Sequence, residues 1–405
     1  MSYSQVQVDP NQTDFLSNLP DALLITILSF LPTPTAARTS VLCRRFRHLW
    51  EASPSVQIST YNSHKFIATA DRVLLRRNPS HPLLTLHLDL YKFTPSLPDS
   101  YVPSLLAKAR SLGLRHLNIK GRFDFVHLLP TIFSIHSLES LSLPAIGPDN
   151  SHIFPSTLTS TCIRLKSLSL GFSGVDPAEL GRILPQLRSL EDLHLEVHNR
   201  DMLCLSSQTI RKIKLIIGLG DRKIDTLQLF LPSLESLHFE NWELFPNQFH
   251  IHVEVPLLKK ADIIFDEACA LNAITRLLNA ISHVEELSLH VKDETQLIPN
   301  SILWEPGVRM PNYPYLKSLN VSLCFHELNF QGVLIMLHKC PALESLKLIH
   351  EIPMFTGWAE GRKKEDWGSK LPSNGDGNNN YAYFTNLHLG KNRKEIMRLL
   401  NKVYL

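Results

Sequence analysis

From Leu83 onward this chain of 405 residues returns repeatedly to one short pattern, LxxLxL with apolar replacements. It is present as Leu83/Leu86/Leu88, Leu114/Leu117/Ile119, Leu138/Leu141/Leu143, Leu165/Leu168/Leu170 and Leu190/Leu193/Leu195. It continues as Ile210/Ile213/Leu215, Leu234/Leu237/Phe239, Leu258/Ala261/Ile263, Val284/Leu287/Leu289, Leu316/Leu319/Val321 and Leu343/Leu346/Leu348. The last two apolar positions of each motif lie two apart, so both point from a short strand into a core while their neighbours face outward. One such unit cannot cover its own apolar face. The chain therefore has to stack its units side by side.

Between middle positions the step runs from 20 to 32 residues, which is the period of leucine-rich repeats with some long insertions. The spacing predicts an α/β fold: a solenoid with a parallel inner sheet and helices or irregular turns on the outer side. Outer helices are expected over 175–184, where Asp176 caps and Pro177 takes the first helical position, and over 268–281 and 330–338. An amphipathic helix over 63–77, with Phe66, Ile67, Ala70, Val73 and Leu74 on one face, and another over 103–111 precede the first two repeats that follow them.

Residues 14–50 obey a different rule. After Asp21, Leu23, Leu24, Ile27, Leu28 and Leu31 recur at helical spacing until Pro32 ends the run. Thr33 reads as an N-cap with Pro34 at the first helical position. Ala36, Ala37, Val41 and Leu42 then lead to Phe46, Leu49 and Trp50, with Arg44, Arg45 and Arg47 on the wet side. Three helices in so few residues cannot hide all these apolar groups, so part of this surface should meet another protein.

This segment resembles the F-box of plant F-box proteins that carry leucine-rich repeats. The resemblance rests on Leu19-Pro20-Asp21, the run from Ile27 to Pro32, the run from Ala37 to Leu42 and the run from Arg45 to Trp50, with Phe46 where the family usually has Trp. The order of the chain is also similar: disordered residues 1–13, an F-box over 14–52, a helical junction over 53–82 and repeats over 83–358. A mobile Gly- and Asn-rich loop is expected over 359–380, and a cap over 381–405. There Phe384, Leu387 and Leu389 have strand spacing, a helix is expected over 393–403, and the whole resembles the FBD segment of that family.

The resemblance implies a substrate-recognition subunit of an SCF-type, cullin-RING ubiquitin ligase. The F-box would dock on a Skp-type adaptor through Leu19, Pro20, Leu24, Ile27, Leu28, Leu31, Val41, Leu49 and Trp50, some of which must instead form the module's own core. The repeats would hold a protein substrate. Two other readings fit the same architecture: a ligand or hormone receptor, and a scaffold that works without the adaptor.

Chemistry of other kinds leaves few traces. No GxxxxGK, HExxH or GxSxG motif is present, and no enzymatic role, metal or cofactor is expected. A net charge of +3 with pI ≈ 8.4 does not single out nucleic acid or an anionic membrane as a partner. Cys43, Cys162, Cys204, Cys269, Cys324 and Cys340 are scattered without a CxxC pair, as expected of thiols in a reducing compartment. A soluble protein of the nucleus or cytoplasm is expected. His87, His116, His194, His238 and His290 fall on or beside repeat strands but lack carboxylates at ligand spacing. On consecutive strands, Asp192, His194 and Glu196 adjoin Lys212 and Lys214, then His238 and Glu240. These seven residues are either a charged surface for the substrate or a row of solvated charges pairing across strands.

Overall fold

The computed structural model describes residues 16, 18–59, 62–75, 77, 79–90, 98, 100–121, 128–146, 163–172, 177–197, 202–218, 226–241, 250–266, 271–292, 311–323, 337–350 and 384–388. The expectations for 1–13, for 359–380, for the helix over 393–403 and for the cap at Asp176 lie outside these residues. The chain divides into two compact units, residues 1–144 and 145–405.

The first unit begins with helices α1 (Asp21–Ser29), α2 (Thr33–Arg38) and α3 (Phe46–Leu49), joined by 3-10 turns. Leu24 and Leu28, one turn apart, are buried with Ala36, Phe46 and Trp50 to form a small core. Thr33 does not cap α2. It is the first residue of the helix, and its hydroxyl accepts a hydrogen bond of 2.8 Å from the backbone N–H of Gln57. That N–H belongs to a strand the repeat pattern did not announce, β1 (Ser55–Ser59). Its buried residues are Val56 and Ile58, and Ser53, also buried, occupies the slot that leucine fills in later repeats.

Strands β1, β2 (Thr85–Asp89), β3 (His116–Lys120) and β4 (Ser140–Ile146) follow one another in parallel, with Val56, Leu86, Leu117 and Leu141 in one register row. Between β1 and β2 lies α4 (Ser63–Ala70), which runs on as a π-helical turn over Asp71–Leu75. Asn62 caps it, accepting from the Lys65 N–H, and Phe66, Ala70, Val73 and Leu74 form its buried stripe. The junction over 53–82 is thus a strand followed by a helix. Arg77, 6% exposed, closes it: its guanidinium donates to the carbonyls of Ser53, His81 and Pro82. Helix α5 (Tyr101–Ser111) ends in a Schellman motif, with Gly113 N–H bonded to Arg110 O, Leu114 N–H bonded to Ala109 O, and Gly113 at φ +85°. The short helix α6 (Leu129–Phe133) precedes β4.

The second unit has a parallel ladder of β5 (Ser167–Phe172), β6 (Asp192–Val197), β8 (Lys212–Ile217), β10 (Ser236–Asn241), β12 (Lys260–Asp266), β13 (Glu286–Lys292), β14 (Ser318–Leu323) and β15 (Ser345–His350). Leu168, Leu193, Ile213, Leu237, Ala261, Leu287, Leu319 and Leu346 pair in one parallel register. The last strand, β16 (Phe384–His388), pairs antiparallel with β15. Two features recur among the repeats. An apolar residue three before the motif, such as Leu187, Leu231, Val255 or Tyr313, is buried and accepts the N–H of the motif's first residue. The residue after that first position offers its carbonyl to two N–H groups of the next repeat, as Lys166 does to Glu191 and Asp192.

The outer side departs from expectation. Helices α7 (Pro177–Ile183) and α8 (Leu271–Ala280) lie where the sequence places them, while only the end of the third expected helix, from Leu337, is among the described residues. Between them in sequence, β7 (Met202–Ser206), β9 (Thr226–Phe230) and β11 (His250–Glu254) form a second parallel sheet. Helix α7 packs on β7 and α8 on β11, so both edges of this small sheet have a helix beside them. Among the described residues, no helix is long and apolar enough to cross a membrane.

Candidate functional site

The N-terminal helices sort the residues expected at a docking surface into two groups. Leu24, Leu28 and Trp50, at 1%, 3% and 5% exposure, belong to the module's core and are not surface groups. The Trp50 indole N–H is satisfied by Arg47 O at 3.1 Å, and Arg72 lies over its ring at 5.7 Å. Leu19 and Leu49 are half-buried, while Pro20, Ile27, Leu31 and Val41 are exposed. The Leu19-Pro20-Asp21 motif has an internal role as well: Arg45 donates to Leu19 O and to the Asp21 carboxylate, which ties the start of α1 to the start of α3.

Four exposed apolar residues were not among those expected at the docking surface: Leu16, Leu23, Phe30 and Leu42. The signal was present. Leu23, Ile27 and Phe30 follow one another at helical spacing, offset by one from the buried pair Leu24 and Leu28, so α1 carries apolar side chains on two faces. Phe30 is 81% exposed and Val41 84%. Among the described residues these are the two most exposed large apolar side chains.

In the second unit, strand register brings the seven charged residues together. Asp192, His194, Lys212, Lys214 and His238 line a shallow cleft of about 270 Å3 across β6, β8 and β10. Glu196 and Glu240 do not line it; they flank Ile216 one row further along. Lys214 stands between two imidazoles, His194 and His238, in a single register row. Burial, reinforced by the Lys214 charge, lowers the His194 pKa, which keeps that ring neutral near pH 7. Its Nδ1 lies 3.2 Å from the Ser169 hydroxyl. The acidic groups on both sides of the two lysines mean that this face has no basic floor for a polyanion.

The same row extends to Asp262, a residue that the linear sequence did not single out. His238 Nδ1 donates to its Oδ2 at 2.7 Å, and His290 Nε2 approaches Oδ1 at 3.3 Å. Burial alone would push the Asp262 carboxyl up. The hydrogen-bonding contacts and charges of the His238 and His290 imidazoles outweigh burial and hold it well below the usual carboxylate range. A carboxylate partner for these histidines thus exists, contributed by a neighbouring strand. With His238 Nδ1 committed to it, no group of three or more His, Cys, Asp or Glu among the described residues is arranged to hold a metal ion.

Comparison with known proteins bears on both regions. Residues 16–56 match the F-box domain family, a span that ends inside β1. An F-box/FBD/LRR-repeat protein of Arabidopsis thaliana is 24% identical over 362 residues, covering 83% of this chain and 73% of its own length. A putative F-box/LRR-repeat protein of the same plant is 27% identical over 349 residues, with 83% and 72% covered. Another is 31% identical over 186 residues, 45% of this chain and 38% of the relative. The chain therefore has an F-box domain at its N terminus, and its relatives combine that domain with leucine-rich repeats.

Proposed function

We propose that this chain is the substrate-recognition subunit of an SCF-type ubiquitin ligase. The F-box docks on a Skp-type adaptor, and through it on a cullin-RING scaffold, while the repeats bind a protein substrate. The chain performs no bond chemistry itself. Its contribution is proximity: holding a substrate lysine near a charged conjugating enzyme replaces a rare encounter with an effective local concentration on the order of mM. The work belongs to the nucleus or cytoplasm.

The observation that supports this reading is the second apolar face of α1, Leu23 and Ile27, continued by Phe30 at its C-cap, all exposed beside the buried Leu24 and Leu28. Ile27→Ala combined with Phe30→Ala should lower affinity for the adaptor by about 2 kcal/mol or more, as truncation of interface anchors does, and should leave thermal unfolding of the chain nearly unchanged. Leu24→Ala should instead cost about 2–5 kcal/mol of folding stability. Undiminished adaptor binding by the Ile27/Phe30 double variant, measured by calorimetry, would rule this docking face out. For the substrate, the cleft between β6 and β10 is the first candidate. Lys212→Glu with Lys214→Glu should abolish retention of a substrate that full-length chain captures from proteasome-inhibited cells, without affecting the adaptor.

A further inference from the structure

One position of the repeat carries a regular alternation that the core does not. It is the rim position whose carbonyl accepts two N–H groups from the next repeat. In the second unit, Lys166, Arg211, Lys259 and Lys317 occupy it in turn with Glu191, Glu235, Glu285 and Glu344, so the sign changes at every step through eight successive repeats. Arg115 and Glu139 do the same in the first unit and lie 3.5 Å apart. At three of the steps the side chains lie within 4.0 Å of one another. Arg211 lies 3.5 Å and Lys259 4.0 Å from Glu235, and Lys317 lies 2.6 Å from Glu285. The hydrogen bond from Lys317 and its charge lower the Glu285 pKa, with Lys259 adding to the effect, and Glu285 and Glu344 raise that of Lys317. The adjacent outward row has no such order: it reads Ser167, Asp192, Lys212, Ser236, Lys260 and Glu286.

We propose that this charge ladder is a register code, which makes each repeat stack on its immediate neighbour in sequence and not on the next but one. The apolar ladder cannot make that distinction, because Leu168, Leu193, Ile213 and Leu237 present much the same surface to whichever repeat arrives. Chain connectivity discriminates weakly as well. Looping out one repeat roughly doubles the closing loop, which is worth a factor of only about three. Misassembly between similar repeats is a characteristic failure of such arrays. With strict alternation, a repeat that skips one neighbour meets a rim residue of its own sign at strand spacing, and like charges directly opposite are destabilising. Pairing alone would not require this arrangement, since signs ordered in matched pairs would give ion pairs without marking the second neighbour.

Two full-length variants separate the order of the signs from their number. The blocked variant, Glu191→Lys, Glu235→Lys, Lys259→Glu and Lys317→Glu, keeps four charges of each sign but gathers them into two runs. The inverted variant reverses all eight positions and keeps the alternation. Each is refolded from urea, and the fraction recovered as native monomer is read by gel filtration and near-UV circular dichroism. The inverted chain should recover as the parent does, although it carries twice as many substitutions. The blocked chain should show a roughly tenfold larger misfolded fraction, the equivalent of about 1.4 kcal/mol, and this excess should shrink in about 1 M salt, where the Debye length is about 3 Å. Parent-like recovery of the blocked chain, recovery of the inverted chain as poor as that of the blocked one, or a defect insensitive to salt would each overturn the proposal.

Discussion

Gly113 shows how one residue can matter through its backbone alone. Its φ of +85° ends α5 and turns the chain so that Leu114 enters the core, and a Cβ built there would meet nothing within 4 Å. Gly113→Ala therefore isolates backbone strain, and should lower stability by about 1 kcal/mol in urea denaturation without disturbing packing. A loss several times larger would mean that the site is constrained by contacts as well. At Asp262 the issue is a proton. Its carboxyl is held below the usual value of about 3.9, so the folded state favours the ionised form. The stability this confers is fully present above about pH 4 and drains away as pH falls further, towards the depressed folded-state value. Asp262→Asn should be less stable than the parent at neutral pH, with the gap narrowing in acid. Parallel stability curves for the two chains from pH 6 down to pH 2 would count against it.

Legibility differs from element to element, and the reasons are physical. The inner strands could be read because their apolar side chains repeat at period two inside a longer period, and each middle residue of the motif sits in the register row that the spacing implied. Strand β1 was hidden because Ser53 stands where leucine was expected, and its backbone carbonyl serves Arg77. The outer strands β7, β9 and β11 were missed for another reason: alternating segments such as Leu203/Leu205 and Leu227/Leu229 mark a strand only once it is known what they face. In α1, burial divided Leu24 and Leu28 from Ile27, which apolar character alone could not do. Thr33 was legible as a polar residue at a helix start, but its bond goes to a strand 24 residues on. Thr33→Val removes the acceptor of the Gln57 N–H and should cost about 1–2 kcal/mol. Hydrogen exchange at that amide should accelerate, while α1 keeps its protection. Unchanged exchange at Gln57 would show that the bond joins nothing that matters.

For the whole molecule the question is where the F-box stops. By family match it ends at residue 56, yet Val56 is paired with Leu86 as part of the first strand of the ladder, and Arg77 and Thr33 fasten that strand to what lies on either side. The F-box and the first three strands share one compact unit. A binder that engages only the native fold stabilises it by about 2.7 kcal/mol at a hundredfold excess over its Kd. If unit 1 opens cooperatively, that gain must appear wherever the opening is felt and not only at the contact surface. Hydrogen exchange of the full chain, with and without the Skp-type adaptor, should therefore slow at the amides of β1 to β3 as well as in α1 to α3. The increments at Val56, Leu86 and Leu117 should match those at Leu24 and Leu28. Slowing confined to residues 18–52 would mean that the F-box opens on its own and is merely attached to the repeats. A ligase subunit that works by proximity needs the former behaviour, because a docking module that opens independently of the array releases the geometry that holding a substrate is meant to fix.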